Sequence, residues 1–155
     1  MYEFYVGTTP KDPPGNIVKV CLDSDGQLVD KSYYEAVSPA YLCRKGSCIY
    51  AVIENADFGG VQVFDVNKNG SLTAKARLDT EDVYSTYISA EKRGNRIFVA
   101  NYGTPSCAVY RYEAEKLVQE SVLREKKTEK SHIHCAALTP EEAYVCLVDV
   151  GTDEI

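Results

Sequence analysis

Two histidines occur in the 155-residue chain, and they stand two apart in the stretch "SHIH", at His132 and His134. Imidazole, with an ordinary pKa of ~6.5, can take or give a proton at neutral pH. A proton-transfer group also needs neighbours that hold a substrate. Four candidates end apolar runs elsewhere: Glu54 in "YAVIEN", Asn101 and Tyr102 in "FVANYG", and Asp149 in "LVDVG". Carboxylate, amide and phenol groups suit the binding of hydroxyls or carboxylates. Each candidate has a plainer reading as well. Asn and Asp at strand ends hydrogen-bond local backbone in turns. An acidic turn residue is commonly solvated, and a histidine can be satisfied by a backbone carbonyl.

The elements that must position these residues recur along the chain. "EFYVGTTP", "CIYAVIEN", "RIFVANYG" and "YVCLVDVG" align with Phe4, Ile49, Ile97 and Val145 at equivalent positions, 45, 48 and 48 residues apart. A second run follows in "NIVKVCLD", "GVQVFDVN" and "CAVYRYEA", with the apolar/polar alternation of half-buried strands. A third follows that, and a fourth precedes each new copy. Four short antiparallel strands per repeat predict β-propeller blades, hence an all-β fold. Lettered A to D outward from the central channel, the chain reads B-C-D, A-B-C-D, A-B-C-D, A-B. The blades fall near residues 1–37, 38–84, 85–131 and 132–155 of a single domain, the last incomplete. The segment Glu113 to Lys130 has helical propensity, but the register predicts a D strand followed by an exposed loop. The pattern leads to the expectation that this is the N-terminal part of a longer propeller. A partner chain supplying the missing half, or a second copy, are the alternatives for closing the ring.

In this register the B-strand ends and the A-strand starts open on one face. Ligands bind propellers at such a channel mouth, where loops from several blades converge. Strand alternation puts His132 and His134 on one side, towards polar space, and Ile133 on the other, in the packing between blades.

Composition excludes several classes. Net charge is −6 and the basic residues are scattered, so no footprint for nucleic acid or an anionic membrane is present. No apolar run approaches the ~20 residues of a membrane span. "MYEFYVGT" enters a strand directly and lacks the signal-peptide pattern, so a cytoplasmic location is expected. Cys21, Cys43, Cys48, Cys107, Cys135 and Cys146 form no C-x-x-C pair and are expected to be reduced core thiols. "DSDG" and "NKNG" lack the remaining ligands of a calcium loop and predict hairpin turns. "GTTPKDPPGN" lacks the closing residues of a phosphate loop and precedes a strand.

"YVGT", "SPAYL", "YAVIE", "FVANYG", "HIHCAALTP" and "VDVGTDEI" follow one another at blade spacing. The series resembles the seven-bladed propeller lactonase family, which includes propeller-type 6-phosphogluconolactonases and fungal carboxy-cis,cis-muconate cyclases. In that family a histidine, often in "HPH", leads into the innermost strand of the fourth blade. His134 matches the more regular position and His132 the less regular one. In the muconate-cyclase branch this histidine works with arginines and a glutamate from later blades. The family often has "GTDR" where this chain has Glu154.

The resemblance implies that the intact protein hydrolyses a small anionic sugar lactone such as 6-phosphogluconolactone. His134 is then the catalytic residue and His132 a substrate-binding one, while Asn101, Tyr102, Asp149 and Glu54 are expected to bind substrate from their place at the turns on the same face. No metal or organic cofactor is implied. Lactone opening requires a proton taken from water and one given to the leaving oxygen, and an imidazole does either. Two other readings stay open: a muconate-type enzyme forming a lactone from a dicarboxylic acid, and a non-catalytic propeller presenting a face to a protein partner. The 155 residues alone are expected to be inactive, because the later-blade groups are needed.

Overall fold

The computed structural model describes residues 1–9, 15–124 and 127–155. Residues 10–14 of the Pro-rich loop, and residues 125 and 126 of the loop expected after the third D strand, lie outside these. The described residues form thirteen strands and no helix. Strands β1 (Tyr2–Gly7), β2 (Gly15–Leu22) and β3 (Leu28–Ala36) make the first sheet. Strands β4 (Leu42–Lys45), β5 (Cys48–Val52), β6 (Gly59–Val66) and β7 (Leu72–Thr80) make the second. The third holds β8 (Ser85–Ala90), β9 (Arg96–Asn101), β10 (Ser106–Glu113) and β11 (Lys116–Arg124). The fourth pairs β12 (Ile133–Leu138) with β13 (Val145–Asp149). All pairings are antiparallel between chain neighbours, and the sheets are the blades of the expected propeller.

The first strands of successive sheets lie side by side: β4 packs on β8, and β8 on β12. Apolar side chains fill the spaces between sheets. Ile49 and Ala51 of β5 join Ile17, Ala36 and Phe64 between the first and second sheets. The alternate residues Tyr50 and Val52 join Ile88, Ile97 and Val99 between the second and third. A strand buried on both faces explains the unbroken apolar run "CIYAV". Ala100, Cys107, Ile133 and Ala136 close the third gap.

Within the segment with helical propensity, Lys116–Arg124 forms strand β11. Leu117 and Val122 lean on the core shared by the second and third sheets, and this packing overrides local preference. The strand carries a bulge opposite Val109 and Tyr110, which leaves Glu120 unpaired in the ladder. Its carboxylate is taken up by Arg96 at 3.1 Å and by Arg111. The six cysteines are free thiols, but only Cys21 and Cys107 are buried. Cys43, Cys48 and Cys135 are half-buried and Cys146 is exposed, so the expectation of core positions holds for two of them.

Candidate active site

The second, third and fourth sheets converge on a cleft of about 390 Å³, lined by Glu54, Tyr84, Thr86, Tyr102 and His134. Its size suits a small ligand. Glu54 follows β5, Tyr84 precedes β8, Thr86 lies in β8, Tyr102 follows β9, and His134 lies in β12.

A bulge sets His134. In the β12–β13 ladder Ile133 pairs with Asp149, and the next pair is Cys135 with Val148. His134 therefore has no partner opposite, and its side chain is freed from strict alternation. Its exposed imidazole lines the cleft, while Ile133 is buried between sheets. The same irregularity recurs in β8, where Ser85 pairs with Asn101 and Tyr87 with Ala100, leaving Thr86 out. The Thr86 hydroxyl donates to the His134 carbonyl at 3.3 Å, and Ser89 Oγ to the Ala136 carbonyl at 2.6 Å. These bonds tie β12 to β8 without using the ladder.

Glu54 is half-buried. Burial pushes its carboxyl above the usual carboxylate range, and the charge of His134 pulls it partly back. The charge of His134 thus reaches Glu54 across the cleft. Tyr102 stands edge-on to His134, with ring centroids 6.0 Å apart at 89°. On its other contact it lies flat against His132, with centroids 4.1 Å apart and planes 6° from parallel. Tyr84 has a left-handed backbone, φ 52°, held by its N–H donating to Asn55 O and its carbonyl accepting from Tyr102 N–H, both 2.9 Å. A non-glycine residue in that region beside a cleft stores strain where geometry matters.

Asn101 and Asp149 are taken up by partners inside the protein. Asn101 is fully buried. Its Oδ1 accepts from Ser85 Oγ at 2.7 Å and its Nδ2 donates to Ser106 Oγ at 2.9 Å. Both ends of the amide are engaged inside the protein, and the fully buried side chain does not line the cleft. Asp149 is buried too, and its Oδ1 accepts from the backbone N–H groups of His132 at 2.8 Å and Gly151 at 2.9 Å. Burial opposes its charge, but the His132 and Gly151 N–H groups, together with the Ser131 and Thr152 side chains, hold the carboxyl below its usual range. Of the six candidates, the cleft gathers Glu54, Tyr102 and His134. His132 sits behind Tyr102, and Asn101 and Asp149 pin strand ends.

Tyr84 and Thr86 were not anticipated from the sequence. The repeat contained the signal: they stand 48 residues before His132 and His134, as Glu54 stands 48 before Tyr102. A second groove, of about 490 Å³, runs along β13 over Leu123, Ile133, Val145 and Leu147. Its Lys127 and Glu154 are paired to each other at 2.6 Å, and no imidazole lines it.

A family model described as "Lactonase, 7-bladed beta-propeller" matches residues 3–155. A 6-phosphogluconolactonase of Bacillus subtilis is 29% identical over 99% of this chain and 48% of its own length. An uncharacterised protein of Staphylococcus epidermidis is 26% identical over 97% of this chain and 48% of its own. The chain thus spans about half the length of the curated relatives it matches. Among solved structures, a periplasmic gluconolactonase of Pseudomonas aeruginosa superposes with a TM-score of 0.82 at 22% identity, covering 97% of this chain and 47% of the other. A putative 6-phosphogluconolactonase of Bacteroides fragilis superposes with a TM-score of 0.78 at 23% identity, covering 95% and 45%. At these identities the superpositions speak to the fold.

Proposed function

Because the chain belongs to the seven-bladed β-propeller lactonase family, we propose that the intact protein hydrolyses the lactone of a small sugar acid, of the 6-phosphogluconolactone type, in the cleft around His134. The observation that carries this reading is the bulge that turns His134 into a cleft facing Glu54. The chemistry follows from those two groups. Water attacks the lactone carbonyl carbon while His134 accepts a proton from it. The tetrahedral intermediate collapses, the ring C–O bond breaks, and the imidazolium returns its proton to the ring oxygen. Lactone and water become the hydroxy acid, and His134 is neutral again. An ionised Glu54 favours the imidazolium present between the two transfers.

Tyr84, Thr86 and Tyr102 offer hydroxyl groups to a polyhydroxylated ring. The five lining residues include no Lys or Arg. The reading therefore assigns the charged end of a phosphorylated substrate to groups outside these five. The test is an assay of the full-length protein against gluconolactone, 6-phosphogluconolactone and a muconolactone. Opening of a sugar lactone above the buffer rate is the expected result. Turnover of the muconolactone alone would move the reading to the cyclase class, and no turnover of any would move it to a protein-binding propeller.

A further inference from the structure

The position of His132 one layer behind the cleft sets up a second role. Its Nδ1 lies 3.0 Å from the backbone carbonyl oxygen of Tyr102. A carbonyl only accepts, so the proton of that bond belongs to Nδ1. The ring also lies flat on the Tyr102 ring. Its own backbone is fixed from both sides: the N–H donates to Asp149 Oδ1 at 2.8 Å, and the carbonyl accepts from Val150 N–H at 3.1 Å. Tyr102 is therefore gripped by a residue that cannot easily shift, and its far contact is the edge-on meeting with His134.

We infer that His132 is a positioning residue, a clamp that fixes Tyr102 through its carbonyl and its ring and thereby sets the placement of His134 in the cleft. The inference rests on the reading of the cleft as the site of lactone opening. His132 would then act on the rate without touching substrate, because small displacements of a proton-transfer group are costly. Asp149 belongs to the same device: its hydrogen bond holds the clamp, and its own N–H partners keep it charged.

The experiment uses the full-length protein and two readouts. The first is the 15N spectrum of His132 at a pH where it is neutral, assigned by its loss in His132→Phe. The clamp predicts the Nδ1–H tautomer; the Nε2–H tautomer overturns it. This readout does not depend on catalysis, so it stands even if no lactone is turned over and the proposed function falls. The second is a double-mutant cycle with Tyr102→Ala, with melting temperatures confirming that each variant is folded. His132→Phe keeps an aromatic ring but loses the donor. It is expected to lower kcat about tenfold with little change in KM. In the Tyr102→Ala background it is expected to cost nothing further, because its route to His134 is gone. His132→Asn, which restores an N–H donor, is expected to recover part of the loss. Equal cost of His132→Phe in both backgrounds, or a KM effect with kcat unchanged, would show direct substrate contact and overturn the clamp.

Discussion

Replacing His134 by Gln in the full-length protein is expected to lower kcat for lactone opening by about 10²–10⁴-fold, the usual contribution of a general acid–base group. Gln keeps a similar reach and can still hydrogen-bond, but it cannot carry a proton. KM should move little, because binding groups around the cleft remain. Stability should move little as well. The His134 side chain is exposed and bulged out of the ladder, so the substitution leaves no cavity and breaks no strand pairing. The Thr86 bond goes to its backbone carbonyl and survives any side-chain change. A variant with unchanged kcat/KM would mark the histidine as structural and bring the protein-binding reading forward.

Glu54→Gln should cost less, about ten- to a hundredfold in kcat, corresponding to roughly 1.4–2.7 kcal/mol of lost charge stabilisation. The pH profile is the sharper readout. Burial raises the Glu54 carboxyl. If its ionised form supports the imidazolium, activity is present above its pKa and lost as pH falls through it. Because that pKa is raised, the loss begins at higher pH than for a solvated carboxylate. In Glu54→Gln the carboxylate part of the acid limb should disappear. A profile identical to wild type would remove Glu54 from the mechanism and leave His134 to act alone.

The blade register was legible because each buried strand has to meet the same inter-sheet packing. Ile49 and Ile97 both fill gaps between sheets, at the same place in β5 and β9. The register also outweighed the helical look of the segment around β11, since Leu117 and Val122 have a core to reach. Turn signals were half legible. Gly26 and Gly70 adopt positive φ at the ends of three-residue loops, as their Asp-Gly and Asn-Gly pairs suggest. The β10–β11 turn instead puts Ala114 and Glu115 in the left-handed region, with no glycine to announce it.

The site was less legible, for two physical reasons. Strict alternation would have placed His132 and His134 side by side facing the channel. The bulge at His134 changes its aim, and a bulge adds a residue without requiring a distinctive one. The second reason is that turn pins and ligand-binding groups use the same residue types. Asn101 and Asp149 look like binding residues until their donors and acceptors are traced to Ser85, Ser106, His132 and Gly151. Glu54 and Tyr102 stand just beyond their strands, and both line the cleft.

The most direct test of the account is a crystal structure of the full-length protein with the product hydroxy acid bound. The expected result is the product carboxylate within hydrogen-bonding distance of the His134 ring, with Tyr102 still stacked on His132. Product bound elsewhere, as in the apolar groove along β13, with His134 making no contact to it, would contradict the account.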